Sequence, residues 1–300
     1  MINISFDFNL FNSYYYFYER LLVTLFSLVP ALLLVWFILR TDKKSKEPTK
    51  NIIICLLSGI LTVALAGYLE NLVMPYISNN TLLIYVWALI EEVSKIAIFF
   101  LFIVDNKHYD DIYDGLVYMT LIALSFAGLE NLMYAFSEST VSNSISLALI
   151  RDFTTVPLHV ICGVVIGFFI SLGSFSKIKK KRYLNFSLAV LVPTLIHGTF
   201  NLLMNVLGGL KLDSNNSVQV FLFKLMPLVL IMVALFYIVI KFVKKTLELN
   251  DTFLNNRKYD KKYSYLMNYE EYAQSEYRKN RMALANKTQF LKKQKKKEES

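Results

Sequence analysis

The chain is short of glycine, proline, cysteine and charge. It holds 10 Gly, 6 Pro and 2 Cys in 300 residues, and only 18% of them are charged. So little Gly and Pro excludes a collagen-like chain. A soluble domain of this size carries about a quarter charged residues, which this chain does not reach. Cys55 and Cys162 both sit inside apolar runs. A disulfide scaffold is therefore unsupported, and the cysteines say nothing of redox compartment. Residues 1–19 contain no Lys or Arg, so the positive start of a cleaved signal peptide is missing. The first apolar run is expected to remain as a membrane helix.

What is abundant is apolar surface. Hydrophobic residues make up 55% of the chain, with 23 Phe and 19 Tyr, and mean hydropathy is +0.43. That excludes intrinsic disorder. The apolar residues come in long runs and not in periodic stripes, as a bilayer core of ~30 Å demands. The reading is an all-α, polytopic helical membrane protein with about seven transmembrane helices. The expected spans are 20–40, 51–69, 81–104, 115–136, 151–173, 184–207 and 218–240.

Charge placement sets the expected orientation. The loop at 41–50 has four lysines and 176–183 has five basic residues. On the alternate side, 1–19, 70–80 and 137–148 have none, and 208–217 has only Lys211. The positive-inside rule then puts the N-terminus outside and the tail in the cytoplasm. Residues 241–300 carry 16 Lys/Arg against 8 Asp/Glu. On a membrane domain, such a tail points to anionic lipid and not to nucleic acid. The expected organisation is an extracytoplasmic segment 1–19, a transmembrane domain 20–240 and a basic cytoplasmic tail 241–300.

Ionisable residues interrupt the apolar runs. The third span holds Glu91, Glu92 and Lys95; the fourth holds Glu130 and Asn131. The fifth holds His159, and the sixth His197 and Asn201. Four formal charges left unpaired at this depth cost roughly 10–14 kcal/mol, comparable with the stability of a whole domain. They must face a polar interior and one another. At 1.5 Å rise per residue, Glu91, Glu130, His159 and His197 lie about 15, 9, 12 and 15 Å below the outer edge. Four groups on four helices thus share one slab in the outer half of the membrane, which a single buried site requires.

Spacing refines this. Glu91 and Lys95 are i,i+4, as are His197 and Asn201, so each pair shares a helix face. Glu92 is turned ~100° from Glu91; one carboxylate is expected to enter the site while the other pairs or orients. A buried carboxylate can activate water. Two His with one or two Glu could hold zinc with an open position. A His–Asn pair can serve a developing oxyanion. Each alternative suits hydrolysis of a peptide bond within the membrane. Arg151 and Asp152 are expected to pair at the membrane edge, and Lys95 to neutralise its neighbours. Asp110, Asp111 and Asp114 are expected to anchor the start of the fourth helix.

At these residues the chain resembles the PrsW-type intramembrane proteases of bacteria. The matching pieces are EEVSK (Glu91–Lys95), DDIYDGLVY (Asp110–Tyr118) running into FAGLENLMY (Phe126–Tyr134), VPLHVICGVVIG (Val156–Gly167) and LIHGTFN (Leu195–Asn201). The segment TDKKSKEP (Thr41–Pro48) is similar to the family's acidic-Pro segment. The resemblance covers about residues 35–207, with four motifs in order on successive helices. It implies a multi-pass enzyme of the bacterial cell membrane, classed with metalloproteases. Its implied substrate is a single-span membrane protein, an anti-sigma factor cut first near the extracytoplasmic side.

The family is also similar in motif order to CAAX-processing and abortive-infection proteases. That likeness implies catalytic roles for Glu91, Glu92, Glu130, His159, His197 and Asn201. Glu91 and Glu92 would share base and orienting roles, and His197 with Asn201 would stabilise the oxyanion. Glu130 stands where the wider group often has His. His159, His197 and Glu130 are the candidate ligands of a zinc ion. Two other classes compete. A proton- or ion-coupled transporter also uses buried carboxylates and histidines, but transporters show repeats and paired broken helices. Here neither is found, though Pro157 and Pro193 interrupt the fifth and sixth spans near His159 and His197. A non-catalytic adaptor acting through its tail would not need the polar slab.

Overall fold

The computed structural model describes residues 17–41, 47–176, 178–206 and 218–264. Within them lie eight α-helices and one 3-10 turn, and no strand. The helices are α1 (Phe17–Thr41), α2 (Thr49–Val73), α3 (Asn80–Phe102), α4 (Ile112–Phe136), α5 (Val141–Phe153), α6 (Thr155–Ser174), α7 (Lys179–Val206) and α8 (Val218–Ser264). The protein is an all-α polytopic membrane protein. Residues 1–16, Lys43, Lys44, Lys46, Lys211 and the tail beyond Ser264 lie outside the described residues, with the expectations placed on them. The chain forms two compact units, Met1–Asn250 and Asp251–Ser300. In the second, the description reaches only the end of α8.

Among the described residues, five helical segments are long and apolar enough to cross a membrane: 17–40, 49–76, 112–136, 141–174 and 179–206. At 23 residues, α3 has the length, but it carries Glu91, Glu92 and Lys95. Outward faces are oily, as a lipid solvent requires: Leu32, Leu33, Trp36 and Phe37 on α1 and Leu57, Ile60 and Leu61 on α2 are exposed.

The innermost helix is α4, which packs against α6, α2, α1 and α5. Its start is fixed by a capping box. Asp111 accepts from Tyr113 N and Asp114 N, and Asp114 accepts from the Asp111 amide. The expected anchoring role of these two aspartates is what the structure shows. Asn250 of α8 accepts from Ile112 N at 2.8 Å, satisfying another amide that the helix start leaves open. At the same end, buried Tyr118 donates to Glu47 and accepts from Asn51.

The α4–α6 pair is close because glycine lines the seam. A Cβ on Gly167 would lie 2.5 Å from the Gly115 carbonyl oxygen, and one on Gly163 would lie 2.8 Å from Ala123 Cβ. Small residues that let backbones approach are a main source of helix association in lipid.

The structure corrects the sequence reading in two places. The second helix runs on to Val73, so Glu70 is helical and not in a loop. The expected fifth span, 151–173, begins in the last three residues of a separate helix that occupies most of the connection before it. The backbone breaks at Thr154 (φ −124°, ψ −68°), and a separate 13-residue helix, α5, precedes it. Pro157 explains the break. In a continuous helix its ring would collide with the carbonyl of Phe153; placed in the first turn of α6 it costs no intrahelical bond. Arg151 and Asp152 therefore belong to α5 and not to the span that carries His159.

Replacing Gly167 by valine is expected to cost at least about 1–3 kcal/mol, the scale of overpacking a close-packed seam. Thermal unfolding of the purified protein in lipid will measure it, and an unchanged midpoint would contradict the α4–α6 contact.

Candidate active site

Four helices deliver the site. From α3 come Glu91, Glu92 and Lys95, from α4 Glu130, from α6 His159 and from α7 His197. Lys95 and Glu92 are wholly buried, as is His159. The Lys95 ammonium donates to Glu92 Oε1 at 2.8 Å and to His159 Nδ1 at 3.2 Å. It also lies 3.8 Å from Glu91 Oε2 and 4.2 Å from the centre of the Phe126 ring. The expected neutralising role of Lys95 is thus visible in its contacts.

The two adjacent carboxylates are used differently. Glu92 Oε1 accepts from His197 Nδ1 at 2.7 Å as well as from Lys95. Glu91 instead lines a cavity of about 630 Å³. Its Oε2 is 3.9 Å from His197 Nδ1. Glu92 is hydrogen-bonded to both Lys95 and His197, while Glu91 lines the cavity and meets them only at 3.8 and 3.9 Å, as their offset around the helix requires.

Proton placement follows from donor chemistry. A carboxylate only accepts, so His197 donates through Nδ1 to Glu92 and keeps a lone pair on Nε2. Glu130 Oε2 accepts from Arg151 at 2.8 Å and from His159 Nε2 at 3.0 Å. His159 then carries its proton on Nε2 and offers Nδ1 inward, where Lys95 donates to it. The two imidazole rings meet edge to face with centroids 4.9 Å apart.

Glu91, Glu92, His159 and His197 each offer one donor atom, all within 4.8 Å of one another. The set suits a metal ion on two counts. Two imidazoles with two carboxylates are the donors that zinc accepts. In addition, Glu91 Oε2 and Glu92 Oε2 are buried with no hydrogen-bond partner, and buried acceptors left open are rare. Glu130 stands outside this group of four; it holds His159 from behind. Asn201 lies one turn beyond His197 and lines the cavity beside it.

The cavity runs from Asn71 and Asn80, at the ends of α2 and α3, past Glu70 and Trp87 to Glu91 and His197. The end of α2 at Asn71 is opposite its start at Thr49, which follows the lysine-rich stretch of sequence. Sequence reasoning missed two of the cavity's residues. Glu70 fell just beyond the expected second span. Arg151 was expected to pair with Asp152; it binds Glu130, while Asp152 accepts from Asn131 at 2.9 Å. The available signal for Glu70 was a carboxylate directly after an apolar run; no local signal marked the partner of Arg151.

A family model described as PrsW family intramembrane metalloprotease matches residues 47–239. The chain belongs to the PrsW family. Protease PrsW of Clostridioides difficile (strain 630) is 31% identical over 188 residues, covering 61% of this chain and 79% of that protein. Protease PrsW of Oceanobacillus iheyensis is 29% identical over 180 residues, 59% of this chain and 80% of that one. Protease PrsW of Bacillus subtilis (strain 168) is 31% identical over 120 residues, 40% and 52% respectively. No solved structure matches the chain. This PrsW-family member is a multi-pass intramembrane peptidase of a family described as metalloproteases. Its candidate metal-binding residues are Glu91, Glu92, His159 and His197. Its substrates are membrane proteins, and the transport reading of the buried carboxylates gives way to that membership.

Lys95→Met leaves the carboxylates beside it without their ammonium. Stripping one partner from a buried ion pair costs about 3–5 kcal/mol. Denaturant titration in mixed micelles should show a loss of that size; a variant as stable as the parent would contradict the assigned contacts.

Proposed function

We propose that Glu91, Glu92, Glu130, His159, His197 and Asn201 are the working residues of this protease. Glu92, His159 and His197 would hold a zinc ion, with a fourth position left to water and Glu91 beside it. When bound, zinc supplies a Lewis acid and lowers the pKa of a coordinated water to about 7. The single observation that carries this reading is the convergence of two histidines and two glutamates on one buried point at the floor of a cavity.

The chain's own groups divide the labour. Glu91 lines the cavity and is the candidate base that takes the proton of the attacking water. Glu92 fixes the tautomer of His197 through Nδ1, and Glu130 does the same for His159 through Nε2. Asn201, on the cavity wall one turn from His197, is the candidate donor to the oxyanion formed at the scissile carbonyl. Lys95 balances the carboxylates and has no need to touch substrate. The residues of α2, α3, α4, α5 and α7 around the cavity keep the cleavage point away from lipid.

The finer reading is a first cut near the extracytoplasmic side of a single-span anti-sigma factor in the bacterial cell membrane. The N-terminus would lie outside and the basic tail, 241–300, in the cytoplasm beside anionic lipid. Support for the side comes from the Lys/Arg asymmetry of the loops and from a cavity that extends to Asn71 and Asn80 at the opposite helix ends.

The test is cleavage in proteoliposomes of single-span substrates, including an anti-sigma factor, with the short segment on either side. Wild type should cut the substrates whose short segment is extracytoplasmic. Glu91→Gln, Glu92→Gln and His197→Ala should each lose about 10²–10⁴ in rate, the range for removing acid–base groups. Variants that cut like wild type would sink the residue assignment. Cleavage of other substrates but not the anti-sigma factor would sink only the finer reading.

A further inference from the structure

The pairing of Arg151 with Glu130 ties the short helix α5 to the site. Arg151 Nη2 and His159 Nε2 both donate to the same oxygen, Glu130 Oε2, at 2.8 and 3.0 Å. The guanidinium also lies over the Tyr134 ring, 3.9 Å from its centre. These contacts of one side chain leave it a single orientation. Glu130 without Arg151 would be a carboxylate near the site with only a neutral imidazole for company, which is costly inside a membrane domain.

Arg151 is set by its backbone as well. The next residue, Asp152, accepts from Asn131 Nδ2, and Asn131 follows Glu130 on α4. Two consecutive residues of α5 therefore engage two consecutive residues of α4. His159 begins one turn after the break at Thr154, so the α5–α6 joint and the Glu130 carboxylate hold the ring from two directions. We propose that Arg151 is a positioning residue: through Glu130 it fixes the tautomer and the orientation of His159 and so aims Nδ1 at the metal-binding group, where it accepts from Lys95 in this structure and where zinc would take the place of that ammonium contact. The proposal rests on the reading of His159 as one of the residues that hold zinc. Carboxylates behind a metal-binding His are worth about 10–100-fold in affinity; here the carboxylate itself depends on a cation one helix away.

The experiment measures zinc affinity of the full-length protein in lipid nanodiscs, by competition with a chromophoric chelator, and then cleavage kinetics. Arg151→Met and Glu130→Gln should each weaken zinc binding about 10–100-fold. The double variant should be no weaker than the weaker single one, because both changes break one chain of contacts. Arg151→Lys, which keeps the charge, should recover most of the affinity. Asp152→Ala loosens α5 without touching Glu130; it should lower thermal stability and weaken zinc binding much less than Arg151→Met does. In cleavage, Arg151→Met should lower kcat with KM unchanged.

Wild-type affinity in Arg151→Met, additive losses in the double variant, or an equal loss in Asp152→Ala would each overturn the positioning role. A raised KM with kcat intact would overturn it too, since Arg151 would then be contacting substrate from the cavity wall. Wild-type protein that binds no zinc would remove the site reading together with this proposal. Zinc bound equally by wild type and Arg151→Met would remove this proposal alone.

Discussion

The organisation of this protein depends on one constraint: an ammonium and two carboxylates are buried together on one helix of a membrane domain. Glu92, Lys95 and the nearby Glu91 cannot be left facing lipid. Their partners must come from other helices, because α3 carries only one cation for two anions. His159 and His197 supply those contacts, and Glu130 with Arg151 closes the next ring of charge. Each contact removes one way for the helices to rotate. The polar cluster thus specifies which faces of α3, α4, α6 and α7 meet, while the apolar surface leaves many arrangements open.

Close helix packing makes the convergence possible. The Gly163 and Gly167 seam brings α6 against α4, which sets His159 within reach of Glu130. On the other side, α3 lies between α2 and α7, so Glu92 meets His197. The result is a site closed by side chains below and open to a cavity above. That asymmetry gives Glu91 and Glu92 different surroundings although they are neighbours in sequence. It is also what a hydrolase in a membrane needs: water must reach one carboxylate and be kept from the rest.

Most of the fold was legible because bilayer thickness writes itself into run length. Helices α1 to α4, α6 and α7 fall within a few residues of the expected spans. Depth arithmetic on Glu91, Glu130, His159 and His197 found one slab, since rise per residue is fixed in a helix. The failures have physical causes. α5 is only 13 residues long, too short to span and too polar to stand out. Its separation from α6 depends on a proline three residues past the break. Arg151 looked like an interfacial charge, because nothing local indicates that its partner is 21 residues away on α4. The division between Glu91 and Glu92 was expected in kind, but only packing decides which of them meets His197.

The central claim is that this polar cluster is a metal-binding hydrolytic centre. X-ray absorption at the zinc edge, on the purified zinc-loaded protein, tests it most directly. The account predicts one zinc per chain in a nitrogen/oxygen environment with two imidazole contributions, one lost in His159→Ala and one in His197→Ala. A spectrum without imidazole, or one unchanged by both substitutions, would contradict it.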